Sequence, residues 1–282
     1  MHLAHSQYGK SAVGLLKVFR EGDLHTVKEI EVSVLVSGDF DCAFLDGDNR
    51  TTVPTDTIKN TIYALAREHL GADGIETFGL RLARHFLAKY PSFHGITIEL
   101  QEKPWGRLDV NGAPHPHAFQ RTGDGIGTAL VRANRSGPPY VTSGLKEFEI
   151  LKSTGSGFIG FPKCEYTTLP EVTDRIMATR LCATWHYANA AEGYDFNAAN
   201  AAVRAAFLDK FANPYSRAVQ ETLFQMATLA LEKVPELDSV SLRLPNLHYF
   251  AYDLKRFGLA NDNVIFYPAP NPHGDISATV KR

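Results

Sequence analysis

The segment 95–100, GITIEL, returns in pattern as 239–244, SVSLRL. In each segment apolar residues alternate with polar ones, which is the period of a strand with one buried face. Each segment also follows a pair of predicted helices. The recurrence predicts two similar units in one chain, with residues 1–138 forming the first unit and residues 139–282 the second.

The first predicted unit has the order strand, strand, helix, helix, strand, strand. Its clearest strand is 28–36, in which isoleucine and valine alternate with mostly polar residues. Two helices follow, because apolar residues recur at helical spacing after residue 58 and again after residue 78. We expect Gly71 to close the first of them. The other strands are predicted at 11–20, 96–101 and 128–135.

The second predicted unit repeats this order. Strands are predicted at 146–152 and 179–187, and Asp195 and Ser216 are predicted to cap the two helices. The last strands are predicted at 240–244 and 263–267. The fold class is therefore α+β, with tandem ββααββ units whose antiparallel sheets carry helices on one face. Polar residues on the other face would suit a sheet that lines a tunnel in an oligomeric barrel.

The composition argues against several classes of partner. The 282 residues are 44% hydrophobic and 21% charged, with a formal net charge of −2, a profile typical of globular proteins. The small net charge and the lack of clustered basic runs argue against binding to nucleic acid or to an anionic membrane surface. No apolar run approaches the about 18 residues that a membrane-spanning helix needs.

The cellular location is predicted from the cysteines and the two chain ends. Cys42, Cys164 and Cys182 are odd in number and lack CxxC spacing, which favours a reducing compartment over a disulfide framework. The first residues do not have the basic and apolar regions of a signal peptide. The last four residues, TVKR, do not match a peroxisomal signal of the SKL type. We therefore expect a cytoplasmic protein.

Two short motifs suggest cofactors that their context does not support. Residues 155–160, GSGFIG, match the GxGxxG of dinucleotide sites, but proline and β-prone residues follow where a helix should begin. His115-Pro116-His117 could ligate a metal, yet it lacks carboxylates or cysteines at ligand spacing, and we interpret it as a proline-rich loop. The sequence offers no obvious site for a metal or an organic cofactor.

Five short segments are spread over the whole chain: Tyr8-Gly9-Lys10, VPTDTIKNT at 53–61, GFIGFPKCEYTTLPEVTDR at 157–175, Ala218-Val219-Gln220, and LPNLHYF at 244–250. Together they resemble the urate oxidase (uricase) family, whose tandem tunnelling fold agrees with the ββααββ pattern. The resemblance implies a homotetramer with active sites at subunit interfaces. It also implies the oxidation of urate by O2 and water to 5-hydroxyisourate and hydrogen peroxide, without metal or organic cofactor.

Urate is a flat, anionic heterocycle, so its site needs a stacking ring, a planar cation and an amide. The resemblance assigns stacking to Phe158, the guanidinium grip to Arg175 and the amide to Gln220. On pattern alone, these residues are a core phenylalanine, a surface ion pair with Glu171 or Asp174, and a solvated helix position.

Three further binding residues follow from the resemblance. Val219 contributes its backbone N–H, and Asp56 offers another at a helix N-terminus, where unpaired donors and the helix dipole favour an anion. Asn246 holds O2 or the attacking water above the ring. On pattern alone, Asn246 is a turn residue after Pro245.

The implied catalytic residues are Lys10, Thr55 and His248. A lysine acts as a base only when desolvation or a nearby cation lowers its pKa. Thr55, which also contacts the substrate, then relays a proton to that lysine, and His248 relays protons through water. On pattern alone, Lys10 is an exposed lysine before a strand, Thr55 is one of three candidate caps in 53–60, and His248 is a structural histidine.

Two other functions stay open for the sequence. A non-catalytic purine-binding or scaffold protein of the same fold would bind its ligand without releasing peroxide, and the presence of Lys10, Thr55 and His248 counts against it. A pterin-type enzyme with the same repeat would normally carry a metal-ligand cluster or a different acidic anchor, and neither is seen in the sequence.

Overall fold

The computed structural model describes residues 2–189 and 191–282. Its elements in chain order are β1 (Tyr8–Phe19), β2 (Thr26–Gly38), α1 (Asp41–Leu45), α2 (Thr55–His69), α3 (Ile75–Lys89), β3 (Phe93–Glu102), β4 (Trp105–Val110), β5 (Ala113–Arg121), β6 (Ile126–Asn134), β7 (Tyr140–Lys152), β8 (Met177–Tyr187), α4 (Phe196–Ala212), α5 (Val219–Lys233), β9 (Leu237–Ala251), a 3-10 turn (Lys255–Phe257) and β10 (Phe266–Lys281). The predicted α+β class is confirmed. The second half has the order ββααββ, and the first half has the same order with the short helix α1 and the hairpin of β4 and β5 added.

The chain divides into two compact units. The first comprises residues up to Leu145 together with Trp185–Asn200, and the second comprises Lys146–Thr184 together with Ala201–Arg282. Strands β7 and β8 and helix α4 therefore have residues in both units. The predicted repeat boundary after residue 138 falls in the connection between β6 and β7 and stays a prediction about the repeat.

In the first unit, β1, β2, β3 and β6 are neighbours in an antiparallel sheet. The register pairs Val34 with Ile98 and Ile98 with Val131, and all three side chains are fully buried. Helices α2 and α3 pack on this sheet. Gly79 lets α3 approach closely, because a side chain there would crowd those of Leu100 and Val131. The alternation predicted for β2 and β3 thus positions the helix pair.

In the second unit, β9 and β10 form a long antiparallel pair, and α5 packs on both strands. The apolar residues of SVSLRL point to the helix, since Leu242 and Leu244 are buried together with Leu223 and Met226 of α5. The apolar residues of α5 that recur at helical spacing therefore form its packed face. The opposite side of the helix leaves Gln220 exposed at its first turn.

Strand β10 is much longer than the predicted strand 263–267. It continues through Pro268, Pro270 and Pro272, and its pairing with β9 is interrupted between Ala269 and Gly274. Proline has no N–H to donate to the hydrogen bonds between strands. A proline-rich sequence is therefore not predicted to be a strand, unless the strand lies at a sheet edge or contains a bulge. Both conditions hold here, because β10 ends the strand order and its pairing is irregular.

The hairpin of β4 and β5 was not predicted, and the His115-Pro116-His117 segment is part of β5 rather than a loop. Its turn is Asn111-Gly112, where both residues have positive φ values, 55° and 78°. Asn-Gly is the preferred pair for a tight hairpin turn with this backbone. The Asn111-Gly112 dipeptide is the sequence feature that could have predicted this hairpin. The two prolines after it weaken the prediction of a strand.

Three predicted helix ends differ from the structure. Helix α2 begins at Thr55 with Pro54 at its N-cap and without a capping side chain, and Leu70 rather than Gly71 ends it. Helix α5 follows Ala218 at its N-cap, so Ser216 does not cap it. The Asp195 cap is confirmed, because its carboxylate accepts the Ala198 N–H at 2.9 Å.

Candidate active site

A cavity of about 380 Å³ lies in the second unit. Its walls come from the long connection between β7 and β8, the start of α5, and strands β9 and β10. Six of the residues predicted to act on the substrate line it together: Phe158, Arg175, Val219, Gln220, Asn246 and His248. Residues from three distant parts of the chain therefore meet at one place.

Backbone hydrogen bonds hold the β7–β8 connection in place. The Gly157 N–H donates to the Ser216 carbonyl at 2.9 Å, and Phe158 and Val172 exchange N–H···O bonds of 2.8 and 3.2 Å. Any side chain at Gly157 would collide with the Tyr215 hydroxyl and crowd the Val172 carbonyl. The connection thus lies directly against the segment that leads into α5, which places the Phe158 ring beside the helix start.

Ser216 organises the start of α5, although it is not a cap. It is buried, its Oγ lies 2.6 Å from Thr222 Oγ1, and the same Oγ donates to the Ala218 carbonyl at 3.1 Å. These bonds orient the first turn of the helix. No helix carbonyl accepts the N–H groups of that turn, and Val219 and Gln220 of the turn line the cavity.

The Phe158 ring has packing on one side and the cavity on another. It stacks on Phe161 with ring centroids 4.9 Å apart and planes inclined by 14°. On pattern alone Phe158 was expected to be a core residue, but its side chain is only half-buried and lines the cavity. The Arg175 guanidinium carbon lies 5.5 Å from the Phe158 ring centroid, so a ring face and a cation share this wall.

The Arg175 side chain does not form either of the surface ion pairs considered from the sequence. Asp174 instead accepts the Thr154 hydroxyl at 2.8 Å, and Glu171 pairs with Lys163 at 3.4 Å. Arg175 Nε is buried and has no hydrogen-bond partner among the described residues. Burial lowers the pKa of the guanidinium from its ordinary value. A buried N–H without an acceptor favours a ligand that supplies one.

His248 lies on β9 at the cavity wall and is stacked on Phe250, with ring centroids 5.5 Å apart. Burial lowers the pKa of its imidazole, and the charges of Arg175 and His273 lower it further. The neutral ring is thereby favoured near neutral pH. A neutral imidazole has one donor and one acceptor nitrogen, which is what a proton relay requires.

Asn246 is a strand residue rather than a turn residue. It lies two positions before His248 on β9, and its partner on β10 is Gly274, at the edge of the irregular pairing. Residues two apart in a strand point to the same side. The Asn246 amide and the His248 imidazole therefore line the same cavity.

The other three predicted residues, Lys10, Thr55 and Asp56, belong to the first unit. Lys10 lies within β1 rather than before it, and Thr55 and Asp56 are the first residues of α2. Hydrogen bonds from Lys59 and Asn60 are the main cause of the lowered pKa of Asp56, and the charge of Lys10 adds to this effect. Helix α2 packs on β1, the strand that carries Lys10.

The apolar part of the cavity wall was not predicted. Leu169, Pro170, Ile176, Phe266 and Ile276 line it beside the polar residues. Three of them fall in or next to the segment 157–175 that carried the resemblance, but no spacing in the sequence distinguishes a wall residue from an ordinary core residue. Such a lining excludes water and strengthens polar contacts inside the cavity.

No group of three or more His, Cys, Asp and Glu residues that could hold a metal occurs among residues 2–189 and 191–282. His115 and His117 do lie together, with ring centroids 4.7 Å apart. Among the residues that the structure describes, no helix is long and apolar enough to cross a membrane. The cytoplasmic location stays a prediction.

Comparison with known proteins gives one consistent result. The family model described as Uricase matches residues 6–132 and 141–277. The chain is 40% identical to the uricase of Oryctolagus cuniculus over 98% of this chain and 93% of the relative, and 41% identical to that of Arthrobacter globiformis over 99% and 90%. The crystal structure of the Arthrobacter globiformis uricase superposes with a TM-score of 0.92 at 40% identity, covering 100% of this chain and 95% of that one.

The antiparallel α+β fold and these relatives define an oxidoreductase of purine degradation. The chain belongs to the uricase family. Its activity is accordingly that of a urate oxidase.

Proposed function

We propose that this urate oxidase converts urate, O2 and water to 5-hydroxyisourate and hydrogen peroxide without a metal or organic cofactor. Urate is oxidised by two electrons, and O2 takes up those electrons and two protons to become peroxide. Water supplies the hydroxyl oxygen that is added at C5. The observation that carries the proposal is the cavity in which Phe158, Arg175, Gln220, Asn246 and His248 meet.

Substrate binding in this proposal uses one ring, one cation and one amide. Urate stacks on Phe158, which contributes about 1 kcal/mol beyond burial. The Arg175 guanidinium donates to the anionic carbonyl edge, and its otherwise unpartnered Nε–H is one of the donors that such a ligand would satisfy. Gln220 reads the opposite edge with its amide, and the backbone N–H groups of Val219 and Asp56 complete the contacts.

Lys10 and Thr55 are the proposed proton relay. Thr55 contacts the substrate and passes a proton to Lys10, which converts urate to a more electron-rich dianion. The position of Thr55 at the first turn of α2 and the packing of α2 on β1, which carries Lys10, support this pairing. The dianion then passes an electron to O2, and a peroxide forms at C5.

Asn246 and His248 are proposed to act on oxygen and water. Asn246 holds O2, and later the attacking water, above the ring. Water displaces hydrogen peroxide at C5 while His248 moves protons. The neutral imidazole that burial and Arg175 favour suits this role, because it can both accept and donate a proton.

We also propose that the enzyme is a homotetramer with its active sites at subunit interfaces, as the family resemblance implies. Sedimentation velocity at several protein concentrations tests this proposal. A monomer at all concentrations, with full turnover, would contradict it.

The competing function is a purine-binding protein of the same fold that performs no chemistry. The discriminating measurement is the loss of urate absorbance together with peroxide release in metal-free buffer containing a chelator. We expect one peroxide per urate consumed. Binding without peroxide would support the competing function, and activity that disappears with the chelator would contradict the cofactor-free mechanism.

A further inference from the structure

Tyr8 connects the strand that carries Lys10 to the loop that leads to Thr55. Its hydroxyl accepts the Val53 N–H at 2.8 Å. Tyr8 lies two residues before Lys10 in β1, so both side chains point to the same side of the strand. Val53 lies two residues before Thr55, the first residue of α2. One hydrogen bond therefore joins the two short segments that hold the proposed proton relay.

The Val53 N–H is the last backbone donor before α2 that can anchor the loop by a hydrogen bond. Pro54 has no N–H, and the first helical hydrogen bond is that of Ile58 to the Pro54 carbonyl, 3.2 Å. The N–H groups of residues 55–57 precede that bond and have no helix carbonyl to accept them. The proposed function assigns one of these groups to the substrate. Anchoring the loop at Val53 leaves all three N–H groups available.

The Tyr8 ring is held by edge-to-face contacts. Its centroid lies 4.7 Å from that of Phe40, with planes inclined by 86°, and 6.3 Å from that of Phe93, with planes inclined by 79°. Burial raises the pKa of the Tyr8 hydroxyl. The group therefore keeps its proton over the neutral range, and its oxygen occupies a defined position toward Val53.

The strand on either side of Lys10 is also constrained. Gly9 lies so close to β2 that any side chain there would collide with the Val34 carbonyl. The register of β1 on β2 shifts between Lys10 and Val13, and within this bulge Ala12 has a φ of +56°. A bulge re-aims the neighbouring side chain. The backbone of Lys10 is thus fixed relative to β2, and the hydrogen bond of Tyr8 to the Val53 N–H ties the loop before α2 to the same strand.

We propose that Tyr8 is a positioning residue for the Lys10–Thr55 relay: by holding the Val53 N–H it sets the separation between the lysine and the threonine. This inference rests on the proposed function of Lys10 and Thr55. Tyr8 itself contacts neither urate nor O2 in this proposal. Its removal should therefore lower turnover through the geometry of the relay and leave the Phe158–Arg175 cavity unchanged.

The test compares Tyr8→Phe with Tyr63→Phe. The first variant keeps the ring between Phe40 and Phe93 and removes only the acceptor for Val53. The matched variant removes another tyrosine hydroxyl that joins α2 to β1, because the Tyr63 hydroxyl donates to the Gly14 carbonyl at 3.0 Å, away from Lys10 and Thr55. Turnover, its pH profile, the affinity for a non-oxidisable urate analogue and the melting temperature are measured for both variants, with Lys10→Met in parallel.

We expect Tyr8→Phe to lower kcat by about ten- to a hundredfold, since small misplacements of catalytic groups have effects of this size. We also expect a shifted pH profile and unchanged analogue affinity, with Tyr63→Phe like wild type in all three. If Lys10→Met is inactive but Tyr8→Phe has the kcat and pH profile of Tyr63→Phe, the Tyr8 proposal is wrong and the relay stands. If Lys10→Met keeps wild-type turnover, the relay and the Tyr8 proposal fail together.

Discussion

The positive charge of Arg175 acts on His248 and lowers the pKa of its imidazole, adding to the larger effect of burial. The residue proposed to grip the anionic substrate therefore also favours the neutral form of the proposed proton relay. A bound anion would offset that positive charge.

The first prediction concerns this coupling. Arg175→Gln should raise the pKa of His248, because it removes a cation that disfavours the imidazolium. His273→Gln should raise it as well, since His273 also acts on His248. Titration of the His248 ring by NMR measures both effects. Arg180→Gln, which removes an exposed partner of Glu149, is the control and should leave the His248 pKa unchanged.

The same shift predicts how stability depends on pH. The folded-state pKa of His248 is below the unfolded value of about 6.5, so the folded state resists protonation. This contribution is fully present above the unfolded pKa and is lost as the pH falls through the folded pKa. His248→Asn should therefore lose less stability than wild type on acidification, as measured by urea unfolding at several pH values. Equal losses in both proteins would contradict the direction of the shift.

The second prediction concerns substrate binding by Arg175. Arg175→Lys keeps the charge but loses the planar fork, so binding of urate should weaken by about 1.5–3 kcal/mol, the range for hydrogen bonds to charged groups. The measurements are KM for urate and the Kd of a non-oxidisable analogue. The matched change Arg180→Lys, on the exposed part of β8, should leave both constants unaffected. An unchanged Kd for Arg175→Lys would show that the Arg175 guanidinium does not bind the substrate.

The third prediction concerns Lys10. Lys10→Met should lower turnover by about 10²- to 10⁴-fold, the usual contribution of a positioned acid or base. The affinity for the analogue should change little, because Lys10 is not proposed to grip the ring. Lys89→Met, at the exposed end of α3, serves as the control for loss of one lysine. Near wild-type turnover in Lys10→Met would show that the proton leaves by another route.

The fourth prediction separates Thr55 from Thr57. The sequence left both as candidate caps, but α2 has no side-chain cap. Neither Thr55→Ala nor Thr57→Ala should therefore lower the free energy of unfolding by the about 1 kcal/mol that loss of a cap costs. Thr55→Ala should nevertheless damage turnover, and Thr57→Ala should not. Equal activity in the two variants would assign Thr55 no role in catalysis.

Much of the fold was predictable because it depends on local periodicity. Alternation in 28–36, 95–100 and 239–244 reports which side of a strand is buried, and the helix pairs follow from spacing at i, i+3 and i+4. Most of β10 and the whole hairpin of β4 and β5 were not predicted, because proline suppresses the local strand signal. Their strand pairing comes from edge position and bulges, which are properties of the sheet and not of the segment.

The candidate site was predictable only through the resemblance. On pattern alone, Phe158 is interpreted as a core residue, Arg175 as a surface ion-pair residue and Gln220 as a solvated helix residue. Nothing in the spacing of these residues indicates that they bind a substrate instead. For Arg175 the structure decides between the two interpretations. The neighbouring carboxylates of Asp174 and Glu171 bond to other residues, and Arg175 Nε is buried without a partner among the described residues. That distinction depends on long-range packing.

The segment 53–60 also has some features that its sequence predicts and others that depend on tertiary structure. The sequence by itself determined that a helix begins there, because Pro54 fixes the entry of the chain and the apolar period starts at Ile58. Only the tertiary structure decided what its polar residues do: Asp56 bonds within the helix, and the Val53 N–H is held by Tyr8, 45 residues away in the chain. Helix periodicity is a local property of the chain, whereas the partner of each polar group is set by which segments the fold brings together.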